Sequence, residues 1–385
     1  MTIRQATRMQ LIQPFHVMAL LARARELEAA GRSVIHMEIG EPDFVTPQPL
    51  IDAGIKALQD GHTHYTPATG LWALREKIAG FYRTRYGVSI EPERVVVTPG
   101  ASSALQLVLA ALVDSGDTVL LSDPGYPCNR NFVHLLNGKP VAIPVGAAND
   151  YQPLPQQVSD SWTAQARALL IASPSNPTGT LLDEQTLREY HAITDQKGGS
   201  LIVDEIYHGL TYDGPASTAL AVSDDIFVIN SFSKYFGMTG WRLGWLVAPR
   251  EVVADIDKLA QNLFLAAPTP AQYAALRAFD EDVLEILDER RDEFRARRDY
   301  LLPALRDIGF DIPVNPSGAF YLYANCSRFT DDSFSFTSRL LEEAGVAITP
   351  GIDFGTNRPE HHVRFAYTTS LENLQEGVQR LAQAL

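Results

Sequence analysis

Ile226-Phe227-Val228-Ile229-Asn230-Ser231-Phe232-Ser233-Lys234-Tyr235-Phe236-Gly237-Met238-Thr239-Gly240-Trp241-Arg242-Leu243-Gly244 runs from an apolar stretch into a loop of hydroxyls and glycines. Ile226 to Ile229 reads as a buried strand, so Lys234 leaves the strand end and enters the loop. Arg242 follows eight positions later, between two further glycines. A lysine held among hydroxyl donors beside a fixed cation suits Schiff-base formation with a phosphorylated aldehyde. The cation and hydroxyls hold phosphate, and an electropositive, partly desolvated setting keeps the amine neutral and nucleophilic. A surface lysine in a glycine turn is the plain alternative, and the rest of the chain decides against it.

Outward from this stretch, compact apolar runs alternate with helical ones from Arg94 to about Pro249. Strands are expected at Arg94–Thr98, Thr118–Ser122, Pro140–Val145, Ala168–Ala172, Leu201–Asp204, Ile226–Asn230 and Leu243–Ala248. Amphipathic segments such as Ser102–Val113 and Asp183–Lys197 lie between them. Strands apolar on both faces and separated by helices predict an α/β fold, with a mostly parallel sheet covered on both sides. Helical spacing also runs from about Pro14 to Ala30, closed by Gly31, and in a long charged segment from about Asp280 to Ile308. A shorter strand-and-helix set closes the chain. No repeat or low-complexity linker separates the parts, so a second domain is expected to pack tightly and to draw on both chain ends.

Length and composition agree. A chain of 385 residues exceeds the size at which one core stops growing. Its 45% hydrophobic and 20% charged residues are ordinary for a globular protein. A net charge of −14 argues against a general nucleic-acid binder. No run is long enough for a membrane span, and Met1 to Gln10 lacks an apolar signal core. Two cysteines, Cys128 and Cys326, are too few for a disulfide framework and point to a reducing, cytoplasmic setting. Asn325-Cys326-Ser327 matches a glycosylation acceptor and reads as coincidence without a secretion signal.

In open α/β sheets the ligand sits beyond the carboxyl ends of the strands, and four of these ends carry suitable groups. Thr98-Pro99-Gly100-Ala101-Ser102-Ser103 joins a strand to a helix, whose first N–H groups can hold phosphate. A simple helix cap is the blander reading there. Asp123-Pro124-Gly125-Tyr126 offers an aromatic ring, or an exposed turn tyrosine. Ser173-Pro174-Ser175-Asn176-Pro177-Thr178-Gly179 holds Asn176 between prolines. Leu201-Ile202-Val203-Asp204-Glu205-Ile206-Tyr207 puts a carboxylate at the tip of a wholly apolar run. Burying Asp204 costs several kcal/mol without a cationic or donor partner, and a pyridinium nitrogen would serve.

In this order, Asn-Pro-Thr-Gly, Asp-x-x-Tyr after a strand, Ser-x-Ser-Lys and Gly-x-Arg-x-Gly make the chain resemble a class I/II aminotransferase dependent on pyridoxal 5′-phosphate, of fold type I. The resemblance runs from Gly40-Glu41-Pro42-Asp43 to Arg364. It implies a large domain, 46–279, with a seven-stranded, mostly parallel sheet, and a smaller α+β domain from 1–45 and 280–385. It implies that Lys234 forms the Schiff base and then moves the proton between substrate and cofactor. Asp204 would pair with the ring nitrogen, Tyr207 and Asn176 would donate to the phenolic oxygen, and Tyr126 would stack on the ring. Ala101, Ser102, Ser231, Ser233 and Arg242 would hold the phosphate. Tyr65 would reach the phosphate of the neighbouring subunit, which makes the active form a homodimer. Arg364, with the Gly40 N–H and Asn176, would clamp the substrate α-carboxylate. Without the resemblance, Arg364 reads as a structural ion pair.

A branch of the family that uses aspartate carries a lysine where Ser102 stands, which leans the donor away from aspartate. Phe15 and Val17 suit a neutral or aromatic side chain, though they equally read as helix packing. A lyase eliminating from cysteine conjugates would use the same lysine and aspartate. A non-catalytic ligand sensor would normally add a DNA-binding segment, and Met1–Gln13 is too short for a helix-turn-helix. His62, His64, His361 and His362 lack helical ligand spacing or a nearby cysteine, so no metal is expected. No Gly-x-Gly-x-x-Gly or Gly-x4-Gly-Lys-Ser/Thr supports a dehydrogenase or kinase. The expected partners are therefore an amino acid, a 2-oxo acid and a second copy of the chain, with neither nucleic acid nor membrane.

Overall fold

The structure is a computed structural model and describes residues 3–385. Met1 and Thr2, which open the segment read as lacking a signal core, lie outside them. In chain order the strands are β1 (Ile35–His36), β2 (Val95–Thr98), β3 (Thr118–Asp123), β4 (Lys139–Pro144), β5 (Ala166–Ala172) and β6 (Ser200–Asp204). They continue with β7 (Phe227–Ser231), β8 (Gly244–Val247), β9 (Tyr321–Asn325), β10 (Val346–Ala347), β11 (Thr349–Pro350) and β12 (His362–Ala366). The seven expected strands are all present, and each boundary falls within two residues of its expected place.

Seven of them form one sheet in the order β2-β8-β7-β6-β5-β3-β4. The pairs from β7 through β6, β5 and β3 to β4 are parallel, whereas β8 runs antiparallel to both β7 and β2. Strands such as Val95–Thr98 and Ser200–Asp204 are buried nearly end to end, because helices cover both sheet faces. One face joins the main core and the other a second cluster under the helices Ala101–Leu112 and Val253–Leu263. The reversal at β8 sets Gly244 beside Thr98, so the β7–β8 loop closes over the end of β2.

The C-terminal part carries a three-stranded sheet, β11-β12-β9, and β1 pairs with β10. The helix α1 (His16–Ala29) packs there through Leu20, Ala24 and Leu27 against Val34, Leu341 and Ala347. The long helix Glu281–Ile308 ends at Gly309, whose φ of 118° is open to glycine and strained for other residues. Two separate segments are riveted together at Asp123. Its carboxylate, 5% exposed, accepts from Thr356 N, Thr356 Oγ1 and Asn357 N at 2.9–3.3 Å. Among the described residues, no helix is long and apolar enough to cross a membrane.

Candidate active site

A cavity of about 410 Å³ opens where the carboxyl ends of β6 and β7, the start of the helix Ala101–Leu112, the first turns of α1 and the strand β12 converge. It falls where an open α/β sheet binds its ligand. A larger and more open groove of about 650 Å³ lies between Ala73–Arg85 and Phe279–Leu284. That groove gathers none of the strand-end residues, so chemistry rather than volume selects the smaller cavity.

Lys234 enters it from the loop after β7. Its Nζ donates to Gly40 O at 2.6 Å and lies 5.9 Å from the ring centres of Tyr207 and Phe320. The expected setting among hydroxyls is therefore corrected. Ser231 Oγ accepts from Ser233 N and donates to Leu243 O, while the lysine meets a carbonyl and two rings. Loss of hydration lowers its pKa to about 8, and Glu41 opposes that while Arg364 and Arg242 reinforce it.

Asp204 ends β6 and is 3% exposed. Its Oδ1 accepts from Ile206 N at 3.2 Å, and burial raises its pKa to about 7 against the pull of that amide and of Lys234. Arg364 stands on β12 and is 2% exposed. Its Nη1 donates to Asn176 Oδ1 at 2.9 Å and its Nη2 to Glu38 O at 2.5 Å and Thr349 Oγ1 at 3.3 Å, while Nε has no partner. The guanidinium rests on the Tyr321 ring at 4.3 Å and the Phe354 ring at 4.9 Å.

Lys234, Asp204 and Arg364 thus face one cavity, and every hydrogen bond they make is to a neutral group. A buried charge with no hydrogen-bonded partner of opposite sign is costly, so the arrangement suits a ligand that brings both signs. A pyridinium phosphate carrying an amino acid does so.

The phosphate end fits as well. The helix Ala101–Leu112 begins with no side-chain cap, which leaves its first amides for an anion. Gly100 before it has φ +82°, and a Cβ there would come within 2.6 Å of Arg242 Nη2. The glycine therefore lets the guanidinium stand directly beside the helix start. Ala101, Ser102, Ser231 and Ser233 line the same end.

Tyr126, Asn176 and Tyr207 also line the cavity. Tyr126 meets Phe15 edge to face at 6.5 Å, and Tyr207 Oη shares a 2.8 Å hydrogen bond with Tyr321 Oη. Gly40 lines the cavity, and a Cβ on it would sit 2.0 Å from Tyr321 Oη, so a larger residue would have to displace that ring. Tyr65 does not line the cavity and is 82% exposed. Among the described residues no His, Cys, Asp and Glu side chains gather as a metal site. His62 stacks on Tyr273 at 3.8 Å and His362 on Tyr323 at 4.8 Å.

Sequence reasoning missed Tyr321, Glu41 and the Glu38–Thr349 pair that orients Arg364. It also missed the length of α1 that borders the cavity, where Met18, Leu21 and Arg25 join Phe15 and Val17. Their spacing of three or four positions puts them on one helix face, a signal from which the sequence reading takes only Phe15 and Val17, as substrate contacts or as helix packing.

Residues 32–381 match the sequence profile described as aminotransferase class I and II. The chain is 40% identical over 376 residues to the (5-formylfuran-3-yl)methyl phosphate transaminase of Methanocaldococcus jannaschii, covering 97% of each chain. It is 38% identical over 376 residues to the valine–pyruvate aminotransferase of Mycobacterium tuberculosis, again covering 97% of each. The crystal structure of an aminotransferase from Mycobacterium tuberculosis superposes with a TM-score of 0.96 at 37% identity, covering 100% of this chain and 99% of that one.

Proposed function

The chain belongs to the aminotransferase class I and II family and is a fold type I, pyridoxal-phosphate-dependent aminotransferase; on that premise we propose the residues that carry its reaction and the donor it prefers. When bound, pyridoxal phosphate supplies an aldehyde for amino groups and a ring that accepts electrons as the Cα proton leaves. Lys234 Nζ would hold the cofactor at rest and then move the proton from the substrate Cα to the cofactor carbon that keeps the amino nitrogen. Its lowered pKa makes a neutral amine accessible near neutral pH. The Asp204 carboxylate keeps the ring nitrogen protonated. Tyr207 and Asn176 donate to the phenolic oxygen, and Tyr126 covers the ring. Ala101, Ser102, Ser231, Ser233 and Arg242 hold the phosphate. Arg364, Asn176 and the Gly40 N–H bind the substrate α-carboxylate.

The observation that carries this reading is the meeting of Lys234, Asp204 and Arg364 in one cavity, none of them hydrogen-bonded to a charged protein group. The division into 46–279 and a second domain from 1–45 and 280–385 accords with it, since Arg364 and α1 come from the second part. Two free cysteines accord with a cytoplasmic location.

The donor is an amino acid with a neutral, sizeable side chain. Phe15, Val17, Met18 and Leu21 give the α1 side of the cavity a mainly apolar lining, with Arg25 as its cation, and Ser102 supplies no charge for a second carboxylate. The cofactor-loaded protein, mixed with each common amino acid in a single turnover, should lose its cofactor absorbance fastest with large neutral donors. Fastest loss with aspartate would reverse the assignment.

The active unit is a homodimer in which Tyr65 serves the partner's phosphate. The tyrosine is 82% exposed, in a turn-rich segment that contributes nothing to its own cavity. Tyr65→Phe is expected to weaken cofactor binding by about 1.5–3 kcal/mol, the worth of a hydrogen bond to a charged group. Mixing inactive Lys234→Ala subunits with inactive Tyr65-disrupted subunits should restore activity, because one hybrid site carries neither lesion. Full activity in a sedimenting monomer would end the shared-site reading.

A further inference from the structure

The helix α1 begins without a cap of its own, since Phe15 at the N-cap position contributes no side-chain hydrogen bond. Its first two amides donate instead to a distant carboxylate. His16 N meets Asp353 Oδ1 at 2.9 Å and Val17 N meets Oδ2 at 2.8 Å, across 337 and 336 residues of sequence. Asp353 is 1% exposed, and its backbone oxygen accepts from Arg130 Nη2 at 2.7 Å. Like Asp204 it is a buried carboxylate without a protein cation hydrogen-bonded to it, but here the two amides and the positive end of a helix supply the compensation.

The place of this contact matters. The later turns of α1 are held by apolar packing of Leu20, Ala24 and Leu27. The first turn, which brings Phe15 and Val17 to the cavity, is tied by Asp353 through both of its leading amides. We infer that Asp353 is a positioning residue for substrate selection: by capping α1 from outside, it holds the apolar wall at the distance where a large side chain is gripped. This rests on the reading that α1 borders the side-chain end of the substrate.

One neighbour complicates the test. Phe354, next in sequence, packs on the Arg364 guanidinium, so a displaced Asp353 could disturb carboxylate binding for every substrate. The experiment therefore compares leucine with alanine, which has no side chain to reach α1, in the holoenzymes of wild type, Asp353→Ala, Asp353→Asn and Leu21→Ala. Asp353→Ala should raise the KM for leucine roughly five- to tenfold, the loss of one helix cap, with kcat little changed and alanine affected less than about twofold. Amide hydrogen exchange should quicken over residues 16–21 and stay unchanged in β12. Asp353→Asn keeps one acceptor oxygen and should recover part of the effect, and it serves alone if the alanine variant does not fold.

Equal losses for leucine and alanine would overturn the inference and place the effect at Arg364. So would unchanged exchange over residues 16–21. Leu21→Ala reads the wall directly. If it shifts the leucine-to-alanine ratio and the Asp353 variants do not, the capping role is wrong and the wall stands. If neither shifts it, the wall itself is wrong, and the inference goes with it.

Discussion

Replacing Lys234 by alanine is expected to lower turnover by at least ~10⁴-fold while leaving the fold intact, because one side chain supplies two separate contributions. Proton transfer by a placed group is worth roughly 10²–10⁴, and the loss of covalent attachment adds to it. The fold should survive, since the Lys234 head group makes one hydrogen bond, to Gly40 O, and otherwise faces the cavity. In the unsubstituted protein, borohydride treatment after cofactor loading should fix the label to the peptide holding Lys234. Label on another lysine would refute the assignment. The pH dependence has a definite sign: the amine attacks when neutral, and its pKa is lowered to about 8, so the rate of covalent loading should climb as pH rises through about 8 and then level off.

Asp204→Asn should lower turnover by about 10³-fold, on the scale seen when one aimed electrostatic partner is removed from a dry site. The amide has the shape of the carboxylate but cannot hold the ring nitrogen in its protonated form. The same change should stabilise the cofactor-free protein, and the sign follows from linkage. Burial raises the Asp204 pKa from 3.8 to about 7. Its neutral form is therefore favoured by folding, and the stability this confers is complete below about pH 4 and lost as pH rises through about 7. Asparagine stays neutral throughout, so thermal unfolding of the cofactor-free variant should gain most over wild type at pH 8 and least at pH 5. Loading with cofactor should cancel the advantage, because the wild-type carboxylate then has its partner. Undiminished turnover in Asp204→Asn would show that the residue is structural.

Much of this was legible in the chain because its signals are local. An apolar run that stops at Asp204, a lysine placed after Ile226–Ile229, and glycines at 100, 240 and 244 each report on a few neighbouring residues. The places of the seven strands and their mostly parallel pairing followed from the alternation of apolar and helical runs, whereas their order within the sheet did not. The partners of those residues were not legible, because no pattern links positions hundreds of residues apart. Glu38 and Thr349 orient Arg364 through a carbonyl and a hydroxyl. Tyr321 takes its part by meeting Gly40 and Tyr207 in space, although in sequence it is one aromatic of a strand already rich in them. The contact that caps α1 escaped for the same reason. The face of α1 was visible as spacing, but nothing in a single sequence tells an apolar face turned to a core from one turned to a substrate.

The Asp123 rivet bears on how such a protein can change over time. Its carboxylate holds Thr356 and Asn357, while three residues to either side of it lie Leu120 in the core and Tyr126 in the cavity. Phe354 and Asp353 stand just before the clamped pair. Tyr126, the Phe354 ring against Arg364 and the Asp353 carboxylate that caps α1 therefore all stand within a few residues of one clamp. Met18 and Leu21 stand on a separate helix. On the donor reading proposed above, exchanges at those two positions would change the donor and leave the placement of Lys234, Asp204 and Arg364 as it is.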